Sequence, residues 1–221
     1  MTALELAAAL PDPGTLRERC RMLAVLDTVL SSQSEYAYYS FHAHWGPGRE
    51  LASMDNGSGD EYSIVFSPAG AFLRGFDHES PMSPYVSDDY EPWPGLTTGI
   101  PPSLAGNLDE PAFNDDGTLL ATVCLWRETA DDRWHTGEIN FPEAGDPDGS
   151  GWMFAVLLDP TSTSYADFAA HYYEKTVDRA AVADFWASRK LTADLLRRLN
   201  SEMTPASLVP DLARIGWPEP A

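Results

Sequence analysis

Apolar residues at Leu16, Cys20, Leu23, Leu26 and Leu30 recur every three or four positions, the spacing of one face of an α-helix. Thr15 and Glu18 precede them as a T-x-x-E capping box, so a helix from about Thr15 to Leu30 is predicted, packed by one face on a sheet. The period then changes to two. Tyr36, Tyr38, Ser40, His42 and His44 fall on one side of a strand, and Ala37, Tyr39, Phe41, Ala43 and Trp45 on the other, the predicted core side. Leu51–Asp55 reads as a short strand, followed by the turn Asn56-Gly57-Ser58-Gly59. Tyr62–Ser67 and Ala71–Phe76 read as a hairpin about Pro68-Ala69-Gly70.

Seven prolines between Pro81 and Pro111 forbid long regular elements in the segment 78–117. A short helix at Pro102–Leu108 is expected there, with Tyr85, Tyr90 and Trp93 packing part of the segment down. A stretch this long without regular structure is usually functional or mobile. Strands are predicted again at Leu119–Arg127 and Trp134–Phe141, and a buried one at Trp152–Leu158. Helices follow at Tyr165–Lys175, with Ser164 and Asp167 as candidate caps, and at Arg179–Arg189 behind Asp178. A further helix covers Leu191–Leu199. The last starts at Thr204-Pro205 and stops at Gly216, leaving Trp217–Ala221 as a tail.

This order predicts an α+β fold: a mainly antiparallel sheet with an N-terminal helix and a C-terminal helical segment. With no linker composition anywhere, residues 1–221 read as a single domain. Its parts are helix and strands at 15–77, the irregular segment 78–117, strands at 118–158 and helices at 164–216. No βαβ alternation and no glycine-rich phosphate loop after a strand is present, which excludes the nucleotide-binding readings.

Charge changes the picture most. Thirty-four acids against 14 bases give a formal net charge of −20. Between Leu51 and Pro160 the only bases are Arg74, Arg127 and Arg133. Such a chain is expected to repel nucleic acid and anionic membrane and to attract a basic protein partner. The candidate contact residues are Asp88, Asp89, Asp115, Asp116, Asp131 and Asp132. The competing explanation is compositional. With two lysines against twelve arginines and many alanines, the chain resembles proteins of GC-rich or salt-adapted bacteria, whose acidity belongs to the proteome. No apolar run approaches the ~20 residues of a membrane span. Met1–Leu10 lacks a basic region and carries Glu5, unlike a secretory signal. Cys20 and Cys124, each in an apolar pattern, read as buried free thiols, and the cytoplasm is the expected location.

Several clusters could carry chemistry. His42 and His44, two apart on a strand, share a face, and with Glu50 they form a candidate divalent-metal site. No other cofactor is implied. His78 lies between Asp77 and Glu79, where a carboxylate could orient it as a general base; a loop histidine bonded at a turn is the structural alternative. Trp134, Thr136 and Glu138 share one strand face and His135 the other, a structural arrangement. Asp146-Pro147-Asp148-Gly149-Ser150-Gly151 imitates the start of a calcium loop, but its twelfth position is Leu157 where a glutamate is needed. A tight acidic turn is therefore expected. The reading that follows is an acidic binding protein for a basic partner. The alternative is a metal-dependent hydrolase built on His42, His44 and Glu50.

Two resemblances add to this. Asp55–Phe66 and Trp134–Pro142 are similar to stretches of an uncharacterised bacterial protein family of similar length, which brings no activity with it. Gly99-Ile100-Pro101-Pro102-Ser103-Leu104 and the Asn56-Gly57 turn resemble pieces of the SMI1/KNR4-like (SUKH) proteins, many of them immunity proteins that neutralise toxins; there the two pieces occur in the opposite order. The resemblance implies a cytoplasmic α+β binding protein and transfers no site residue.

Overall fold

The computed structural model describes residues 1–31 and 37–220. A short helix α1 (Ala3–Ala9) precedes the long helix α2 (Pro13–Ser31). Four strands follow as a meander: β1 (Tyr39–Gly46), β2 (Arg49–Asp55), β3 (Glu61–Ser67) and β4 (Gly70–Phe76). After a long excursion containing α3 (Pro102–Ala105) and the small hairpin β5 (Asn114–Asp115) and β6 (Thr118–Leu119), the chain returns as β7 (Val123–Glu128) and β8 (His135–Thr136). The main sheet has the order β1-β2-β3-β4-β7-β8, each pair antiparallel. Among the described residues six helices follow: α4 (Ser150–Met153), α5 (Ala155–Leu158), α6 (Thr163–Tyr172), α7 (Arg179–Ser188), α8 (Ala193–Leu199) and α9 (Pro205–Ile215). The α+β class, with an antiparallel sheet flanked by N- and C-terminal helices, is as predicted.

The sheet is covered on both faces. Toward α2 and the C-terminal helices it presents Phe41, Ala52, Met54, Tyr62, Ile64, Leu73 and Leu125. Toward the other side it presents Val65, Phe72, Cys124 and Trp126; the proline-rich segment lays Leu96, Leu104 and Phe113 over them, and Leu119 of β6 joins this layer. Burying a side chain such as Phe113 there contributes about 1.5–3 kcal/mol. The segment 78–117 is thus a second layer of core, and β3 and β4, buried on both sides, show almost no polar alternation.

Several expectations need correction. Helix α2 starts at Pro13 rather than Thr15, because Asp12 is its cap: its carboxylate accepts from the Thr15 amide (3.0 Å) and hydroxyl (2.6 Å). Glu18 instead bonds Arg17 and Arg21. Helix α1 was not predicted; Thr2 and Glu5 form its capping box. The register of β1 on β2 shifts between His42 and Gly46, and Trp45 stacks on Phe113 on the proline-rich side instead of joining the helical core. Tyr36, placed in that strand from the sequence, lies outside the described residues.

The strand expected at Trp134–Phe141 shrinks to two residues. Gly137 passes so close to the excursion that a Cβ would stand 1.9 Å from the Gly95 carbonyl oxygen, and the chain leaves the sheet there. Trp152–Leu158 is helical, not a strand: Asp146 and Asp148 accept from the Gly151, Trp152 and Ser150 amides and start α4. Helix α6 begins earlier than expected, behind Ser162, with Asp159 accepting from the Ser164 amide (2.9 Å). Trp217 is no loose tail, since it packs on Phe185 and under Arg21. The Asp178 cap, the Thr204-Pro205 start and the left-handed Gly216 stop are as predicted. Both cysteines are buried and free.

Candidate functional site: an acidic groove in the proline-rich segment

Antiparallel strands sort their turns to two ends. One end carries the β2–β3 turn, the exit of β4 and the entrance of β7; the other carries the β1–β2, β3–β4 and β7–β8 turns. The proline-rich segment begins at the first end. Between Gly75 and Trp126 the sequence has nine acids and no lysine or arginine. Within this stretch Pro81, Met82, Val86, Glu91, Trp93 and Pro94 line a groove of about 300 Å³, with Asp89 on its wall.

Local chemistry builds it. Ser80 donates to the Pro147 carbonyl (2.7 Å) and accepts from the Met82 amide (2.9 Å), which holds Met82 inward. Ser83 caps the turn Pro84–Val86. The Trp93 indole N–H donates to the Asn140 carbonyl (3.0 Å) and fixes that wall. Beside the groove Tyr85 stacks on Tyr90 (5.8 Å between centroids) and meets Phe76 edge-on. The Tyr90 hydroxyl donates to Asp115 (2.5 Å), which raises the pKa of that phenol, and Thr118 donates to the Tyr90 carbonyl (3.1 Å). These bonds dock loop 85–91 onto the β5–β6 hairpin, so exposed Asp88, Asp89, Asp115 and Asp116 are presented by adjoining loops. Tyr85 and Val86 remain 53% and 63% exposed beside them. An apolar, proline-walled groove with an acidic rim is chemically suited to a segment that offers both a cation and a hydrophobic side chain.

Asp131 and Asp132 do not join this surface. They lie in the β7–β8 turn at the far end of the sheet, where Asp131 accepts from the Glu128 amide (2.9 Å) and stands 3.4 Å from His135.

The candidate metal residues are not brought together. His42 pairs with Leu51 across β1 and β2, so Glu50, one residue along, points to the opposite face. Glu50 there receives Arg17 through Nε and Nη2. His44 is exposed and His42 half-buried, its pKa lowered by burial and by Arg214. Among the described residues no three His, Cys, Asp or Glu side chains are arranged to hold a metal.

The Asp146–Gly151 turn consumes its own oxygens: Asp148, buried, accepts from the Ala3 amide (2.7 Å) and the Ser150 amide (2.9 Å). His78 bonds neither flanking acid. Its Nδ1 lies 2.7 Å from Asp60, which also accepts the His78 amide and raises the imidazole pKa. Sequence reasoning missed Met82 and Trp93 as groove residues, although Pro92-Trp93-Pro94, an aromatic held between two prolines, was a usable signal. Comparison of the chain with protein-family models, curated proteins and solved structures gave no match.

Proposed function

We propose that this chain is a binding protein whose acidic groove captures a basic, partly apolar segment of a protein partner. The observation that carries it is the exposure of Tyr85 and Val86 beside a groove in a 52-residue stretch without a lysine or arginine. Exposed apolar groups next to a concave wall supply affinity, and the surrounding carboxylates supply steering and selectivity for cations. Toxin neutralisation, the activity implied by the SUKH resemblance, is one concrete form. Two free buried thiols suit a reducing compartment such as the cytoplasm.

Selection of random displayed peptides on the full chain tests this. Enriched peptides are expected to carry arginine or lysine next to a large apolar residue, to bind more weakly as salt rises, and to lose affinity for an Asp88→Asn/Asp89→Asn/Glu91→Gln variant and for Tyr85→Ala. Peptides without excess positive charge, or peptides that hold the variants equally well, would sink the proposal.

A further inference from the structure

Charge in this chain is divided between two surfaces. The groove segment is acidic, whereas residues 179–198, which hold α7, α8 and the corner between them, carry five bases and two acids. Arg179 is paired with Asp167, Arg197 with Asp194, and Arg198 with Asp178 and Asp184. Arg189 and Lys190 are exposed at the corner, and their side chains have no such partner among the described residues. Trp186, half-buried, precedes them by about one helical turn. We propose that this corner is a ligand of the acidic groove: Arg189 and Lys190 of one copy dock in the groove of a second copy, and the chain assembles head to tail. The inference rests on the reading of the groove as a site for basic, partly apolar segments, and it names the partner.

The corner offers what the groove is suited to take, two adjoining cations beside an indole, and the groove meets them with Asp89, Glu91 and an apolar wall. One copy does not fill its own groove. Val182 and Phe185 fix α7 in the helical core on one face of the sheet, while the proline-rich segment covers the other face. A contact between unlike surfaces leaves a corner free on one copy and a groove free on the next, so it continues into a ring or an open chain. Two molecules at −20 repel each other at long range. At physiological salt that repulsion is screened beyond about 8 Å, which leaves the close attraction of corner and groove to govern the encounter.

Backbone geometry points the same way. Helix α7 ends on Arg189 in the left-handed conformation (φ 54°, ψ 32°), its amide donating to the Phe185 carbonyl (2.8 Å). Glycine fits that position without strain. The helix dipole favours a cation near this end, but a cation at position 188 would meet that preference in an ordinary helical conformation. Among the described residues four that are not glycine have positive φ, and three of them, Tyr90, Asp116 and Arg189, stand on the two surfaces in question. Strained backbone of this kind collects at binding sites.

Sedimentation equilibrium of the full chain at physiological salt is the test, with two variants: Arg189→Gly/Lys190→Ala at the corner and Asp88→Asn/Asp89→Asn/Glu91→Gln at the groove. The average mass of the parent is expected to rise with concentration. Each variant alone should associate about tenfold more weakly or less. An equimolar mixture of the two should form a one-to-one complex that grows no further, because each variant keeps the surface the other has lost. The corner variant should melt no lower than the parent, since glycine relieves the left-handed strain; its loss of assembly is then not a loss of folding. Should the groove variant unfold by circular dichroism, Tyr85→Ala takes its place. The proposal is overturned if the parent stays monomeric, if either variant assembles as the parent does, or if the mixture yields no complex. A parent that stays monomeric yet captures displayed basic peptides would sink self-assembly and leave the groove reading standing.

Discussion

Asp27 is the residue whose chemistry departs furthest from its surroundings. It lies fully buried on α2, accepting from the Tyr39 amide (2.9 Å) and the Tyr165 hydroxyl (2.9 Å), and so ties the long helix to the start of β1 and to α6. Burial is the largest influence on it and outweighs these bonds, pushing its pKa up to about 6. The folded value is above the unfolded one, so ionisation opposes folding. Stability from this group is fully present below about pH 4 and is lost as pH rises through about 6, amounting to about 3 kcal/mol. Asp27→Asn keeps an acceptor for the Tyr39 amide and removes the titration. Urea unfolding of both proteins across this range should give a difference curve that favours the variant progressively from pH 4 to 7. A flat difference would mean that Asp27 titrates normally.

Element boundaries depend on which competing cap wins, and α2 shows how. A capping box on Thr15 would make Thr15→Ala the costly change. With Asp12 as cap, Asp12→Ala should cost about 1 kcal/mol and Thr15→Ala less, since Asp12 can still accept the residue-15 amide. Urea unfolding of the two variants decides it; equal or reversed costs would put the cap at Thr15. The strands of the meander were legible because their residues alternate or run apolar between Asn-Gly and Pro-Ala-Gly turns. Helices α7 and α9 were legible because Asp178 and Thr204-Pro205 are local signals. What failed had a non-local cause. Trp152–Leu158 is too short for periodicity to separate a strand from two helical turns, and its helical start is set by Asp146 and Asp148. The end of β8 is set by Gly137 against Gly95, 42 positions apart in sequence. Of the candidate site, the acids and the proline-rich segment could be read directly. Their division into two ends could not, because strand pairing decides which turns are neighbours. Nor could the opposite orientation of Glu50 and His42, which needed the β1–β2 register.

At the scale of the whole molecule, the crowding of Asp88, Asp89, Asp115 and Asp116 on adjoining exposed loops bears on why the charge is there. Asp115 takes one bond from Tyr90; these acids otherwise face water in a molecule already at −20. Like charges gathered this way repel, and the repulsion is screened over about 8–10 Å at physiological salt. Two effects on stability are expected whether the surface serves a partner or reflects a proteome-wide habit, and peptide capture separates the two. Tm should rise from low to moderate sodium chloride as screening relieves the repulsion. An Asp88→Asn/Asp89→Asn/Asp116→Asn variant should have a higher Tm than the parent at low salt, with the gap closing as salt is added. If the acids are there for a partner, the same variant must lose capture of basic peptides while gaining stability, the opposition expected where a surface is kept for binding rather than for folding. If it gains stability and captures peptides as before, the acidity is compositional and the groove binds by shape alone.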